Sequence, residues 1–390
     1  MTDTNRHKIV IVGGGPAGLA TALQLAARAP ELAADTVVLE AKEYPRPKLC
    51  GGGLTVHGED LLQQLGLDLN ISAFVVNRVI FQLGALRFAV SHPNAMRIVE
   101  RAEFDAAIAQ AVAERGIPIH ANERVVDIRP ADDGIDITTS RSRYSAQVVV
   151  AADGANSTVR RKLQLFSTVG VARLLRVLNR INPKDSRTWQ EHTAIFDFSC
   201  VQQGVQGYMW DFPCFVGGQA CMNYGIFDSR IAPEQDQQKR GNLKRALLGR
   251  LEDRSVDLDE VPLQGHPVRW FNPDAEFSRP HVLLAGDAAG VDPLFAEGIS
   301  YGMQYGTIVV EAIRDAFASG DFTFTDYRDR LLNHQLGQLL KRRTAVARSL
   351  YRYRYPFFWS LLWRFAAIAP KRVQQSIGAY LALLPAKSTL

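Results

Sequence analysis

Three short apolar runs along the chain each end in a tight glycine turn. They are Lys8–Val12 before Gly13-Gly14-Gly15, Gln147–Ala151 before Ala152-Asp153-Gly154, and His281–Ala285 before Gly286-Asp287. Runs this short, apolar on both faces and rich in Val and Ile, predict buried parallel strands. Small-residue helical patterns follow them: Leu19–Ala29, a short start at Ala155–Arg161, and Pro293 to about Phe317. A further strand, Thr36–Leu39, completes a βαβ unit over residues 8–40. Helical patterns also occur over 58–68, from Val99 to about Arg115, and near 232–252.

Between these segments the pattern changes to strict alternation. Residues 74–90 predict a hairpin, and Val125–Ile128 with Ile135–Thr138 predict a small antiparallel layer. From about 165 to 275 the alternating runs are short and aromatic, clearest at Ala194–Phe198, Gly207–Pro213 and Gln219–Phe227. Alternation predicts an antiparallel sheet, one face of which can wall a pocket. Residues 326–390 read as helical and rich in aromatics.

At 390 residues the chain is longer than one core usually covers. The expected fold is α/β: a Rossmann-like nucleotide domain formed by 1–75, 95–165 and 276–325, an interleaved antiparallel-sheet substrate domain formed by 76–94 and 166–275, and a helical segment over 326–390. Hydrophobic content of 47% and charged content of 22% describe a globular protein. The four cysteines, Cys50, Cys200, Cys214 and Cys221, form neither a CxxC nor a ligand-spaced cluster. No metal site is expected, and a reducing compartment is. The chain enters its first strand almost at once, without a signal-like segment, and no apolar stretch reaches the length of a membrane span. The expected location is cytoplasmic.

The first glycine turn carries the most specific chemistry. A strand, then Gly13-x-Gly15-x-x-Gly18, then a helix, is the fingerprint of a dinucleotide site. Gly13 permits the turn, Gly15 lets backbone amides approach a pyrophosphate, and Gly18 lets the helix lie close on the strand. The phosphates then meet a helix N-terminus, where unpaired donors favour anions. Glu40 closes the second strand, at the distance suited to a ribose hydroxyl pair. No second fingerprint of this kind is present, so a second dinucleotide would have no Rossmann turn of its own.

The segment Tyr44-Pro45-Arg46-Pro47-Lys48-Leu49-Cys50-Gly51-Gly52-Gly53-Leu54 is an irregular loop. Taken with the Gly13–Gly18 turn, Glu40, Ala152-Asp153-Gly154 and Gly286-Asp287, it resembles the glutathione-reductase-like flavoproteins of the aromatic-hydroxylase type. Within them, the lysine and cysteine before Gly51-Gly52 and the strand Tyr208-x-Trp210-x-Phe212-Pro213 are similar to the geranylgeranyl reductase family. The resemblance covers about residues 8–310.

The resemblance implies FAD as cofactor and assigns roles to residues. Gly13, Gly15, Ala17 and Gly18 would cradle the pyrophosphate, and Glu40 would hold the adenosine ribose. Arg101 would pair with cofactor phosphate, and Val125 would contact adenine through its backbone. Asp287 would accept from the ribityl chain. Gly298 and Ile299, at a helix start, would aim amides at the flavin edge where negative charge develops on reduction. Cys50, Gly51 and Gly53 would line the ring. Two departures, Phe227 for a glycine and Phe295-Ala296-Glu297-Gly298 for Thr-Gly-Glu-Gly, add bulk near the expected substrate pocket.

The leading expectation is hydride transfer from reduced FAD to C=C bonds of an isoprenoid or related lipid. Tyr208, Trp210, Phe212, Phe215 and Tyr224 would wall an apolar tunnel, and Cys50, Tyr208 or water would supply the proton. The alternative is an NAD(P)H-dependent flavin monooxygenase hydroxylating an aromatic or apolar small molecule, and a third reading keeps FAD as scaffold in a lipid cyclase or binding protein. The expected electron donor is NAD(P)H, docking without a Rossmann domain of its own, or a ferredoxin-like carrier.

Net charge is +5, and its distribution matters more than its size. From Lys341 to Leu390 every charged side chain is Lys or Arg, and Tyr351–Phe365 interleaves arginines with aromatics. That pattern suits attachment to an anionic membrane surface, on the inner face, rather than nucleic acid, because of its apolar density. The competing reading is a helical cap packed on the body, with a basic outer face.

Overall fold

The computed structural model describes residues 4–165, 170–232, 241–257, 262–352, 356–369, 371, 373 and 376. Two eight-stranded sheets organise them. In the first, the strand Thr4–Val12 lies between Thr36–Leu39 and Arg143–Ala151, parallel to both, with Val282–Leu284 beyond. Ile9, Ile11 and Val12 are 0–3% exposed, which is why this run carries no polar residue. The pair Val125–Ala131 and Gly134–Thr139 joins the Arg143–Ala151 strand as an antiparallel flap.

The turn after the first strand needs its glycine twice over. Gly13 has φ +103°, and a Cβ there would lie 2.4 Å from the Ala152 carbonyl oxygen. The first and second glycine turns therefore touch each other at the strand ends. The helix Pro16–Arg28 packs against the long helix Ile299–Ser319, which covers the same face.

The second sheet runs, by chain segment, 264–269, 171–180, 219–228, 207–216, 193–197, 73–83, 86–99 and 53–55. Its neighbours are antiparallel except for Thr193–Asp197 on Ala73–Leu83. One face buries an aromatic cluster against Leu294 and the C-terminal residues Tyr351, Trp359 and Trp363. The other buries Met209, Met222, Tyr224 and Ile226 under the helix Leu243–Glu252. The sequence expectation of a helix near 232–252 covers this element, and residues 233–240 lie outside the described ones.

The helix expected from Pro293 begins six residues later, at Ile299. Asp292, fully buried, accepts from the amides of Leu294 (2.8 Å) and Phe295 (3.2 Å), and Ala296 adopts φ +55°. Those bonds and that left-handed residue hold 293–298 as a loop. The C-terminal region contains the helices Tyr327–Asn333, Gln335–Arg352 and Pro356–Ile368. Tyr353, Arg354, Tyr355, Arg372 and Lys387 of the expected basic-aromatic segment fall outside the described residues. The last of these helices does cap the body with one face, through Trp359 and Trp363.

Candidate active site

The ends of the first-sheet strands and the Tyr44–Leu54 loop enclose a cleft of about 610 Å³. Gly13, Gly15, Ala17, Glu40, Arg101, Val125, Asp287, Gly298 and Ile299 line it, together with Cys50. Gly18 lies beneath the turn, against the Gly13 carbonyl, and is not part of the lining.

Glu40 is set by three contacts. Its carboxylate accepts from the Gly14 amide at 2.9 Å and the Lys42 amide at 3.0 Å, and pairs with Arg46 at 3.2 Å. Arg46 also donates to the Gly14 carbonyl at 2.8 Å and pairs with Asp105. Arg101 is buried, not a solvated helix-start arginine, and its guanidinium forks onto Asp105 with both bonds at 2.8 Å. Asp105 therefore orients two cationic side chains at the cleft. Sequence reasoning missed Arg46 and Asp105, although Arg46 stands in the loop already singled out.

Lys48 and His266 were missed as well. The Lys48 ammonium lies 2.7 Å from Nε2 of His266, across the cleft. Burial pushes the His266 imidazole down to about 4, with the Lys48 charge adding to it. Burial also lowers Lys48 and raises Asp287, while each charge favours the other's ionised form. Asp153 caps the short helix Thr158–Lys162, accepting from Thr158 and Val159 through Oδ2. Its buried Oδ1 has no hydrogen-bond partner, nor has the buried Nε of Arg46, and both residues line the cleft.

A second, smaller cavity of about 100 Å³ lies against the aromatic face of the second sheet. Phe81, Phe196, Tyr208, Trp210, Phe212, Phe227 and Phe295 form its walls. It shares Cys50, Ala296, Gly298 and Ile299 with the large cleft. Gly51 and Gly53 face this slot rather than the large cleft, beneath Phe212 and Met96. Tyr208, Trp210 and Phe212 share its face because they are two residues apart on one strand.

Two expected wall residues lie elsewhere. Tyr224 is paired with Asp211 in the ladder, so its side chain is on the opposite face of the sheet, near Arg250 and Arg254. The register puts Asn223, Gly225 and Phe227 on the slot side instead. Phe215 packs edge-on against Trp189, away from the slot. Burial raises the Tyr208 hydroxyl well above its ordinary range, and it donates to the Phe295 carbonyl at 2.6 Å.

The slot has one polar end. Arg343, 1% exposed, enters from the helix Gln335–Arg352, bonds Asp292 and lies 3.5 Å from Glu297. Its guanidinium also sits over the Phe295 ring, 5.9 Å from the centroid. Glu297 accepts from the Thr55 hydroxyl at 2.7 Å. No signal in the sequence linked Arg343 to this loop. Among the described residues, no group of His, Cys, Asp and Glu is placed to hold a metal.

The cleft fits a dinucleotide. Nothing stands where a Gly15 Cβ would point, Asp153 and Arg46 line the space with a buried polar atom each still unpartnered, and Glu40 is fixed at the end of the second strand. The model of the FAD-binding domain family matches residues 6–316.

The chain belongs to this FAD-binding family. It is an FAD-dependent oxidoreductase, and its likeness to the geranylgeranyl reductases extends over most of its length. A menaquinone reductase of Mycolicibacterium smegmatis is 30% identical, over 78% of this chain and 76% of that protein. Digeranylgeranylglycerophospholipid reductase 1 of Methanothermobacter thermautotrophicus is 25% identical, over 87% of this chain and 85% of that one. Among solved structures, a geranylgeranyl bacteriochlorophyll reductase-like protein of Thermoplasma acidophilum superposes with a TM-score of 0.72. It is 18% identical and covers all of this chain and 94% of its own.

Proposed function

We propose that this oxidoreductase reduces C=C bonds of an isoprenoid or related lipid. The observation that carries the reading is the shared edge of the two cavities. An aromatic slot meets the large cleft along Cys50, Gly298 and Ile299. Two relatives are named as reductases of a menaquinone and of a digeranylgeranylglycerophospholipid, which supports a lipid of that general kind here. FAD, when bound, supplies the hydride; NAD(P)H or a ferredoxin-like carrier restores it.

The protein's own part is to hold the alkene, exclude water and deliver a proton. Phe81, Phe196, Trp210 and Phe212 offer apolar walls. Arg343 is held between two carboxylates, so the slot presents no uncompensated cation to an acidic ligand. Gly298 and Ile299, at the start of the long helix, direct its N-terminus toward the cleft, and that pole favours negative charge. The Tyr208 hydroxyl is engaged with Phe295 and holds the loop. Cys50, at the boundary of slot and cleft, is the better placed proton source.

The test is a single-turnover reaction under argon. The flavin is reduced chemically, a polyprenyl lipid is added, and flavin absorbance and product mass are followed. Reoxidation with a gain of two hydrogens per double bond supports the proposal, and Cys50→Ala slows it at least tenfold while Tyr208→Phe slows it less. A product that gains oxygen when air is admitted, with no reoxidation in its absence, assigns the chain to the monooxygenase chemistry instead.

A further inference from the structure

The helix Pro356–Ile368 has two apolar faces, and among the described residues only one is covered. Trp359 and Trp363 turn inward, 1% and 7% exposed. Trp363 lies 4.9 Å from Phe198 and 6.2 Å from Phe88, ring centroid to ring centroid. Phe198 and Phe88 in turn contact Tyr208 and Phe81, which are slot walls. The helix therefore backs directly onto the wall of the slot.

On the other face Phe357, Leu361, Phe365 and Ile368 are 78, 56, 62 and 82% exposed. Spacings of four, four and three align them as one stripe. Among the described residues they are the four most exposed large hydrophobics. Single exposed apolar residues are ordinary, but an aligned stripe of this kind marks an interaction surface. Arg352, Arg364 and Lys371 stand exposed around it, and no acidic residue occurs from Lys341 to the end. No described helix is long and apolar enough to cross a membrane.

We propose that this stripe docks the enzyme on an anionic lipid bilayer. The helix lies in the plane of the interface, with Phe357, Leu361, Phe365 and Ile368 immersed and the basic side chains at the headgroups. The slot wall then stands one helix thickness above the lipid. The proposal rests on the slot being a lipid site. It excludes a second copy of the chain as the occupant on charge: self-pairing would bring Arg352, Arg364 and Lys371 of both copies together without a carboxylate from this segment.

The experiment floats the full-length, FAD-loaded protein with vesicles of phosphatidylcholine alone or with about 30% phosphatidylglycerol. Binding to the anionic vesicles is expected, and it weakens at least tenfold in about 0.5 M salt. Serine at 357, 361, 365 and 368 together (Phe357→Ser, Leu361→Ser, Phe365→Ser, Ile368→Ser) weakens it about a hundredfold. The pair Arg364→Gln and Lys371→Gln weakens it roughly twentyfold. Flavin absorbance and melting temperature report that the variants remain folded. A four-serine variant that is folded and floats like the wild type overturns the proposal. So does a wild-type dimer that the four substitutions turn into a monomer while vesicle binding stays unchanged. Flotation needs no turnover, so a wild type that floats but reduces no prenyl lipid leaves the docking intact and removes only the reductase reading. Unimpaired reduction of a detergent-dispersed prenyl substrate by the four-serine variant, with loss of activity on vesicle-borne lipid, supports both.

Discussion

The side-chain amide of Asn223 donates to the Cys50 carbonyl at 3.1 Å, and to the Gly51 carbonyl at the same distance. Its own oxygen accepts from the Trp210 indole at 3.0 Å. One buried side chain thus ties the loop at the cofactor edge to the sheet that walls the slot. Asn223→Leu leaves the Gly51 carbonyl and the Trp210 N–H without these partners, at a cost of about 1–3 kcal/mol. Thermal unfolding checks the cost. A fall in kcat larger than the change in KM marks the loop, rather than the lipid, as what has moved.

Gly225 faces Trp210 across the ladder. A Cβ at 225 would lie 2.1 Å from the indole ring. Gly225→Ala is expected to force the ring out of place and destabilise the fold by about 1–3 kcal/mol. The slot volume changes with it, so KM for a bulky alkene rises more than KM for a short one. A substrate series of increasing chain length reads this directly.

Arg343 neutralises Asp292, and both are buried. Arg343→Met leaves that carboxylate without its cation, and the expected loss is about 3–5 kcal/mol. The double change Arg343→Met with Asp292→Asn should recover part of that loss, because only Glu297 of the two carboxylates then remains without its cation. Denaturant unfolding of the three variants measures the coupling.

The His266 imidazole, pushed down to about 4, stays neutral in the fold while an unfolded chain takes up a proton near 6.5. The unfolded state therefore binds more protons between those values, and stability falls as pH drops from about 6.5 to about 4. The whole effect is roughly 3 kcal/mol. His266→Gln flattens that limb of the stability curve. The measurement belongs on flavin-free protein, since a bound pyrophosphate brings its own charge to the same cleft.

The parts legible in the sequence are those fixed by local spacing. The Gly13 turn, Glu40 and Asp153 each sit at the end of a strand whose apolar run announces it. Tyr208, Trp210 and Phe212 share a face because alternation has a period of two. Tyr224 was misplaced for a related reason. Its face depends on which residue of Gly207–Val216 it pairs with, and no residue near it encodes that register. The late start of the helix at Ile299 follows from Asp292, whose carboxylate is held by an arginine 51 residues away. Lys48 and His266 meet across 218 residues. Pairs of this kind arise from topology, which periodicity does not carry.

The position of Arg343 also bears on how the protein can be divided. It lies beyond Ser319, where the long helix ends, yet it supplies the counter-ion for Asp292, which precedes that helix. A fragment stopped after residue 319 would keep every glycine turn and leave the Asp292 carboxylate without that counter-ion. During synthesis Asp292 therefore lacks this counter-ion until the Gln335–Arg352 helix has left the ribosome.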